Sequence, residues 1–192
     1  MQPFFLDLDR QLRRARKEAE TLLESRRRNE AKALGAGDYI DQWTSVSALA
    51  SGIEKVYSGL ERTLRLIASR IDGDVPNDPE WHMTLLQRMA EELPGVRPPV
   101  LSKDSLQILD RLRAFRHRER DSYAQDLDPV RVLEVADLVL PAVGRVEPDS
   151  GPSSRSRMVA PCNRAQHRRR TSAKRRVRHG AGRRRGGAPA RT

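Results

Sequence analysis

Residues 106–123 read LQILDRLRAFRHRERDSY, and this stretch decides how the rest of the chain is read. Leu106, Leu109, Leu112 and Phe115 recur every three residues, which makes one side of a helix apolar. The other side carries Arg111, Arg113, Arg116, His117, Arg118 and Arg120. A helix turns by about 100° per residue, so Arg113, Arg116, Arg120 and Tyr123 fall near one stripe. His117 lies beside that stripe, one turn before Asp121. The expected element is a helix with an apolar back and a cationic front that ends in a carboxylate and a phenol. Taken alone, such a front is compatible with a solvated basic face.

The flanking segments repeat the helical pattern. Residues 5–33 place Leu8, Leu12, Ala15, Ala19 and Leu22 at heptad-like spacing among Lys, Arg and Glu. They predict a long N-terminal helix, packed at an edge or against another chain, within a segment 5–37 that Gly35 and Gly37 close. Asp38 is a candidate N-cap for a second helix reaching about Ile71. Its stripe is Val46, Leu49, Ile53, Val56, Leu60, Leu64, Ile67 and Ile71, and Trp43 and Tyr57 are expected in the core or an interface. Asp78-Pro79 is expected to start a third helix carrying Trp81, Leu85, Leu86, Met89 and Leu93. His82 on it is expected to be structural or solvated. Ser102 or Ser105 can cap the arginine-rich helix, and Asp128-Pro129 opens a fifth helix, rich in Val and Leu through Val143, which Pro141 is expected to bend or end. No strand alternation is present. The class is all-α, a bundle of about five helices.

Charge divides the chain differently. The formal net charge is +11, but residues 150–192 hold 14 Lys+Arg and no acid. The remaining 149 residues hold 23 Lys+Arg against 26 acids, a net of −3. Residues 1–146 are therefore expected to form the helical domain. Residues 147–192 are rich in Arg, Gly, Ser and Pro, too poor in apolar groups to offset folding entropy, and are expected to be a disordered tail. A shifted GC-rich reading frame would give such a sequence, and an evolved nucleic-acid-binding tail is the alternative. Clustered arginines bind phosphate by counterion release in either case.

Composition also limits the chemistry. Cys162 is the lone cysteine, which excludes an intrachain disulfide and fits a reducing cytoplasm. No apolar run of about 18 residues suits a membrane span. The start MQPFFLDLDR lacks the pattern of a secretory signal. The four histidines are scattered, so no zinc site is expected, and no glycine-rich phosphate loop occurs. No cofactor is expected.

The segment FRHRERDSYAQDLDPVRV resembles the end of the signature helix of HepT-like proteins of the HEPN (higher eukaryote and prokaryote nucleotide-binding) superfamily. The resemblance extends upstream through IEKVYSGLERTLRLIASRIDGDVP and EWHMTLLQRMAEELPGVRPPVL and covers about Tyr39 to Val143. The family motif is an Arg, four residues, a His, one residue and a Tyr. Arg116 matches the Arg and Tyr123 the Tyr, while Asp121 stands where the family has His.

The resemblance implies a HepT-like toxin of a type VII-style HEPN–MNT toxin–antitoxin pair, acting as a homodimer. It implies metal-independent RNA cleavage, with Arg116 and Arg120 on the phosphate and Arg116 and Asp121 at the catalytic positions. Arg113 on the same stripe is a further phosphate-binding candidate. His117 is close enough in sequence to substitute for the missing histidine as a catalytic candidate, though at a different angle. A neutral His can take a proton from a ribose 2′-OH, and its cation can protonate the leaving oxygen. Asp has an ordinary pKa near ~3.9, so at neutral pH it donates poorly and repels phosphate. Weak or absent activity is therefore expected. The implied partner is an MNT-type nucleotidyltransferase antitoxin that attaches AMP to Tyr123. The competing reading, which Asp121 favours, is a non-catalytic helical binding or regulatory module with a basic tail as its nucleic-acid anchor.

Overall fold

The computed structural model describes residues 3–121 and 127–146, with the backbone alone for Arg120 and Asp121. All of them belong to the first of the chain's two units, Met1–Ala160. The elements are α1 (Pro3–Ala33), α2 (Tyr39–Ile67) extended by a π-helical turn (Ala68–Asp72), α3 (Trp81–Ala90), α4 (Lys103–Asp121), α5 (Pro129–Ala136) and α6 (Val139–Val146). Among the described residues the only extended pairing is an isolated bridge between Leu93 and Arg97. The all-α helical bundle expected from the periodicity is the fold.

α1 and α2 form an antiparallel hairpin in a readable register. A Cβ placed on Gly52 would lie 2.5 Å from Leu22, and one on Gly59 would lie 3.5 Å from Ala15. Small residues at these crossings let the two backbones approach closely. Leu8, Leu12, Ala15, Ala19 and Leu22 are buried, so the heptad-like stripe of α1 is spent on α2 within this chain. At the tip, Gly35 adopts a φ of 95°, which favours glycine after a helix end. Asp38 then caps α2, its side chain accepting from the Asp41 N–H at 2.8 Å.

α2 is the central element. Every stripe residue from Val46 to Ile67 is buried, and Ile71 is partly buried. The helices α1, α3, α4, α5 and α6 all pack on it. The stripe is therefore covered inside one chain. Trp43 is exposed rather than in the core, because it points away from the stripe beside exposed Tyr39 and Ile40. Tyr57 is in the core as expected.

Three boundaries differ from the sequence reading. α3 begins at Trp81 because the Asp78 carbonyl first accepts from the Trp81 N–H in a turn (3.0 Å), and it ends at Ala90, so Leu93 lies beyond it. Beyond α2, the π turn carries Asp72 onto Arg97, whose Nε and Nη2 donate to the two carboxylate oxygens at 2.7 and 2.9 Å. Both side chains are fully enclosed, and Arg97 also donates to the carbonyls of Arg88, Glu91 and Pro98. This cluster fixes the irregular α3–α4 connection. The fifth expected helix divides into α5 and α6 at Asp137-Leu138. Pro141 has no N–H, and its ring would clash with the carbonyl four residues back, at Asp137. The break therefore precedes the proline, which sits in the first turn of α6. No helix among the described residues is long and apolar enough to cross a membrane. The tail from residue 147, including Cys162, lies outside the described residues.

Candidate active site

Ser102 starts α4, its Oγ accepting from the Ser105 N–H at 3.1 Å. Leu109, Leu112 and Phe115 are buried on the bundle side. Each such burial contributes about 1.5–3 kcal/mol, so the roll of α4 about its axis is fixed by its apolar back. Its front is thereby turned outward. There Arg113, Arg116 and His117 line a cleft of about 520 Å³, with Pro79, Glu80, His82 and Met83 on the opposite wall.

The cations of this cleft are held by carboxylates. Arg113 Nε donates to Asp110 Oδ1 at 2.8 Å, one turn back on α4. Arg116 reaches toward α2, with Nε 3.6 Å from Glu54 Oε1 and Nη1 3.8 Å from Glu61 Oε2. These are ion-pair separations, too long for hydrogen bonds, and the buried Nε makes none among the described residues. The guanidinium also lies 5.9 Å from the centre of the Tyr57 ring, within cation–π range.

Glu61 is the hub beneath the cleft. Its Oε1 accepts from the Tyr57 hydroxyl at 3.1 Å and is bonded to His82 Nδ1, while Oε2 faces Arg116. Burial, reinforced by the negative charge of Glu61 and the hydrogen bond to it, pushes the Tyr57 hydroxyl well above its ordinary value. Tyr57 is therefore a neutral donor. The His82 ring is stacked by Trp81 at 3.6 Å between centroids, and Trp81 in turn carries the Arg65 guanidinium at 4.8 Å.

The fold thus brings together three of the expected residues, Arg113, Arg116 and His117. The side chains of Arg120 and Asp121, and Tyr123 altogether, lie outside the described residues. His82 has the structural placement expected of it, held by Glu61, and that contact sets it at the cleft wall. The sequence held one signal for this, an acid set at helical spacing from Tyr57 within the long apolar stripe of α2. A carboxylate at such a position needs a partner. Among the described residues no cluster of three potential metal-ligating side chains occurs.

The all-α bundle is consistent with a HEPN-like fold. A family model described as HepT-like protein matches residues 48–148, just over half of the chain, and the chain belongs to that family. The match takes in most of α2 and every later helix, while α1 precedes it. No curated protein and no solved structure gives a significant match.

Proposed function

We propose that this protein is the toxin of a HEPN–MNT toxin–antitoxin pair and cleaves RNA in the cleft of α4. The observation that carries this reading is the convergence of Arg113, Arg116 and His117 on one cleft in a HepT-like chain. Two guanidinium groups provide for a phosphodiester and for the charge that builds on it in the transition state. An imidazole beside them provides for proton transfer. A homodimer that juxtaposes two copies of α4 would double these cations around one RNA strand.

The partner in this reading is an MNT-type nucleotidyltransferase. The Tyr123 hydroxyl attacks the α-phosphate of ATP, the new O–P bond forms, and pyrophosphate leaves. The attached AMP would fill the cleft and place negative charge near Arg116. Expression of the chain without that partner should arrest bacterial growth, and Arg116→Ala should relieve the arrest. Equal arrest by both forms would sink the proposal.

One observation favours the second reading, a non-catalytic binding module. Arg116 already faces two carboxylates, Glu54 and Glu61, which reduces the net positive charge offered to phosphate. A protein that binds RNA in a manner sensitive to Arg116, yet leaves it intact, would establish that reading.

A further inference from the structure

The cleft contains an imidazole that α4 does not supply. His82 comes from α3 and is held by Glu61 of α2. The Glu61 side chain is only 9% exposed and receives the Tyr57 hydroxyl on the oxygen that meets His82. Its other oxygen faces Arg116. A carboxylate placed among donors and a guanidinium acts as an acceptor, so the proton between Glu61 and His82 belongs to Nδ1. In the neutral imidazole that leaves the lone pair on Nε2. Trp81, stacked on the imidazole, restrains the plane of the ring. The side chain of His82 is 28% exposed, and the surface it shows borders the same cleft as Arg113, Arg116 and His117.

We infer that His82, oriented by Glu61, is the general base of this cleft and does the work that Asp121 cannot. The inference rests on the ribonuclease reading above. His82 Nε2 takes the proton of a ribose 2′-OH, and the 2′-oxygen forms a bond to the adjacent phosphorus. The bond from phosphorus to the 5′-oxygen breaks, and that oxygen takes a proton from the imidazolium of His117. The products are a 2′,3′-cyclic phosphate and a 5′-hydroxyl. The two histidines end with exchanged protonation states, which solvent restores. Arg113 and Arg116 stand where the phosphoryl oxygens gain charge. Glu61 is a positioning residue: it touches His82 and not the RNA.

The test is cleavage of labelled single-stranded RNA by the full chain and by His82→Ala, His82→Gln, Glu61→Gln and Arg116→Ala. His82→Ala should lower kcat by about 10²–10⁴-fold with KM little changed. Added imidazole should restore part of that loss, which a packing role for His82 would not allow. His82→Gln retains a donor for Glu61 and should fold, yet lose kcat similarly. Glu61→Gln should lower kcat less, also without a change in KM. Cleavage products should end in a cyclic phosphate. Full activity in both His82 variants, with loss only in Arg116→Ala, overturns the inference and leaves the ribonuclease reading standing. Full activity in His82→Gln, with an unrescued loss in His82→Ala, also overturns it, because His82 is then structural. No cleavage by the unaltered chain overturns both.

Discussion

Glu61 and His82, 21 residues apart in the chain, meet at the base of the cationic cleft, where the carboxylate of α2 holds Nδ1 of an imidazole on α3. The same carboxylate faces Arg116 of α4, so three helices converge on one acid. This ties the core of the bundle to the chemistry proposed on its surface.

The crossing of α1 and α2 makes a prediction of sign. A Cβ on Gly59 would meet Ala15 at ordinary van der Waals distance, while one on Gly52 would collide with buried Leu22. Gly59→Ala should stabilise by roughly 0.5–1 kcal/mol through helix propensity. Gly52→Val should destabilise by roughly 1–3 kcal/mol through overpacking. Thermal melts should move in opposite directions for the two variants, and parallel shifts would contradict the packing described.

Asp72 and Arg97 are enclosed together, and removal of one leaves the other's buried charge poorly compensated. Arg97→Ala should cost about 3–5 kcal/mol. Arg88→Ala should cost less, because its Nε contact to Asp72 (3.0 Å) leaves the Arg97 pair intact. Urea midpoints measure both, and an Arg97→Ala loss below about 1 kcal/mol would be far too small for a buried ion pair.

Tyr57 adds a pH dependence. Burial and Glu61 hold its hydroxyl above the ordinary range in the folded protein, whereas the unfolded tyrosine ionises near ~10. Above that pH the unfolded chain binds fewer protons than the folded one, so stability falls as pH rises. Below it the contribution is fully present. Tyr57→Phe should therefore flatten the alkaline decline in urea melts between about pH 9 and about pH 11. An unchanged decline would place the titration elsewhere.

Much of this was legible in the sequence. The stripe of α2 and the apolar back of α4 are simple periods, and Asp38 and Asp128 cap their helices as such residues do. Arg113, Arg116 and His117 could be grouped because one helix carries them all. The Glu61–His82 contact could not, since periodicity within a helix carries no information about which helix lies opposite. The start of α3 was obscured because Asp78-Pro79 serves equally well as a turn and as a helix opening. Pro141 marked a break, but its effect falls at the carbonyl four residues upstream.

The basic tail is expected to be dispensable for folding of the bundle. α6 ends at Val146, which is buried, and the cations of residues 150–192 follow it. A chain truncated after Val146 should keep its helical circular dichroism and melting temperature. It should also lose most nonspecific nucleic-acid affinity, and the affinity of the full chain should fall steeply with salt. Equal affinity of the two forms would place binding in the bundle, and a large loss of stability would show that the tail packs on it.

The most direct measurement is cleavage of labelled single-stranded RNA, with EDTA present to silence contaminating metal nucleases, by the unaltered chain, Arg116→Ala, Asp121→His and the double variant. The account predicts slow cleavage by the unaltered chain and none by Arg116→Ala. Asp121→His should raise the rate only a few-fold, by removing a negative charge that repels phosphate, because His82 and His117 already carry the protons. Arg116→Ala should abolish that gain. Strong cleavage that persists without Arg116 would contradict the account, because the reaction would then lie outside the cleft of α4.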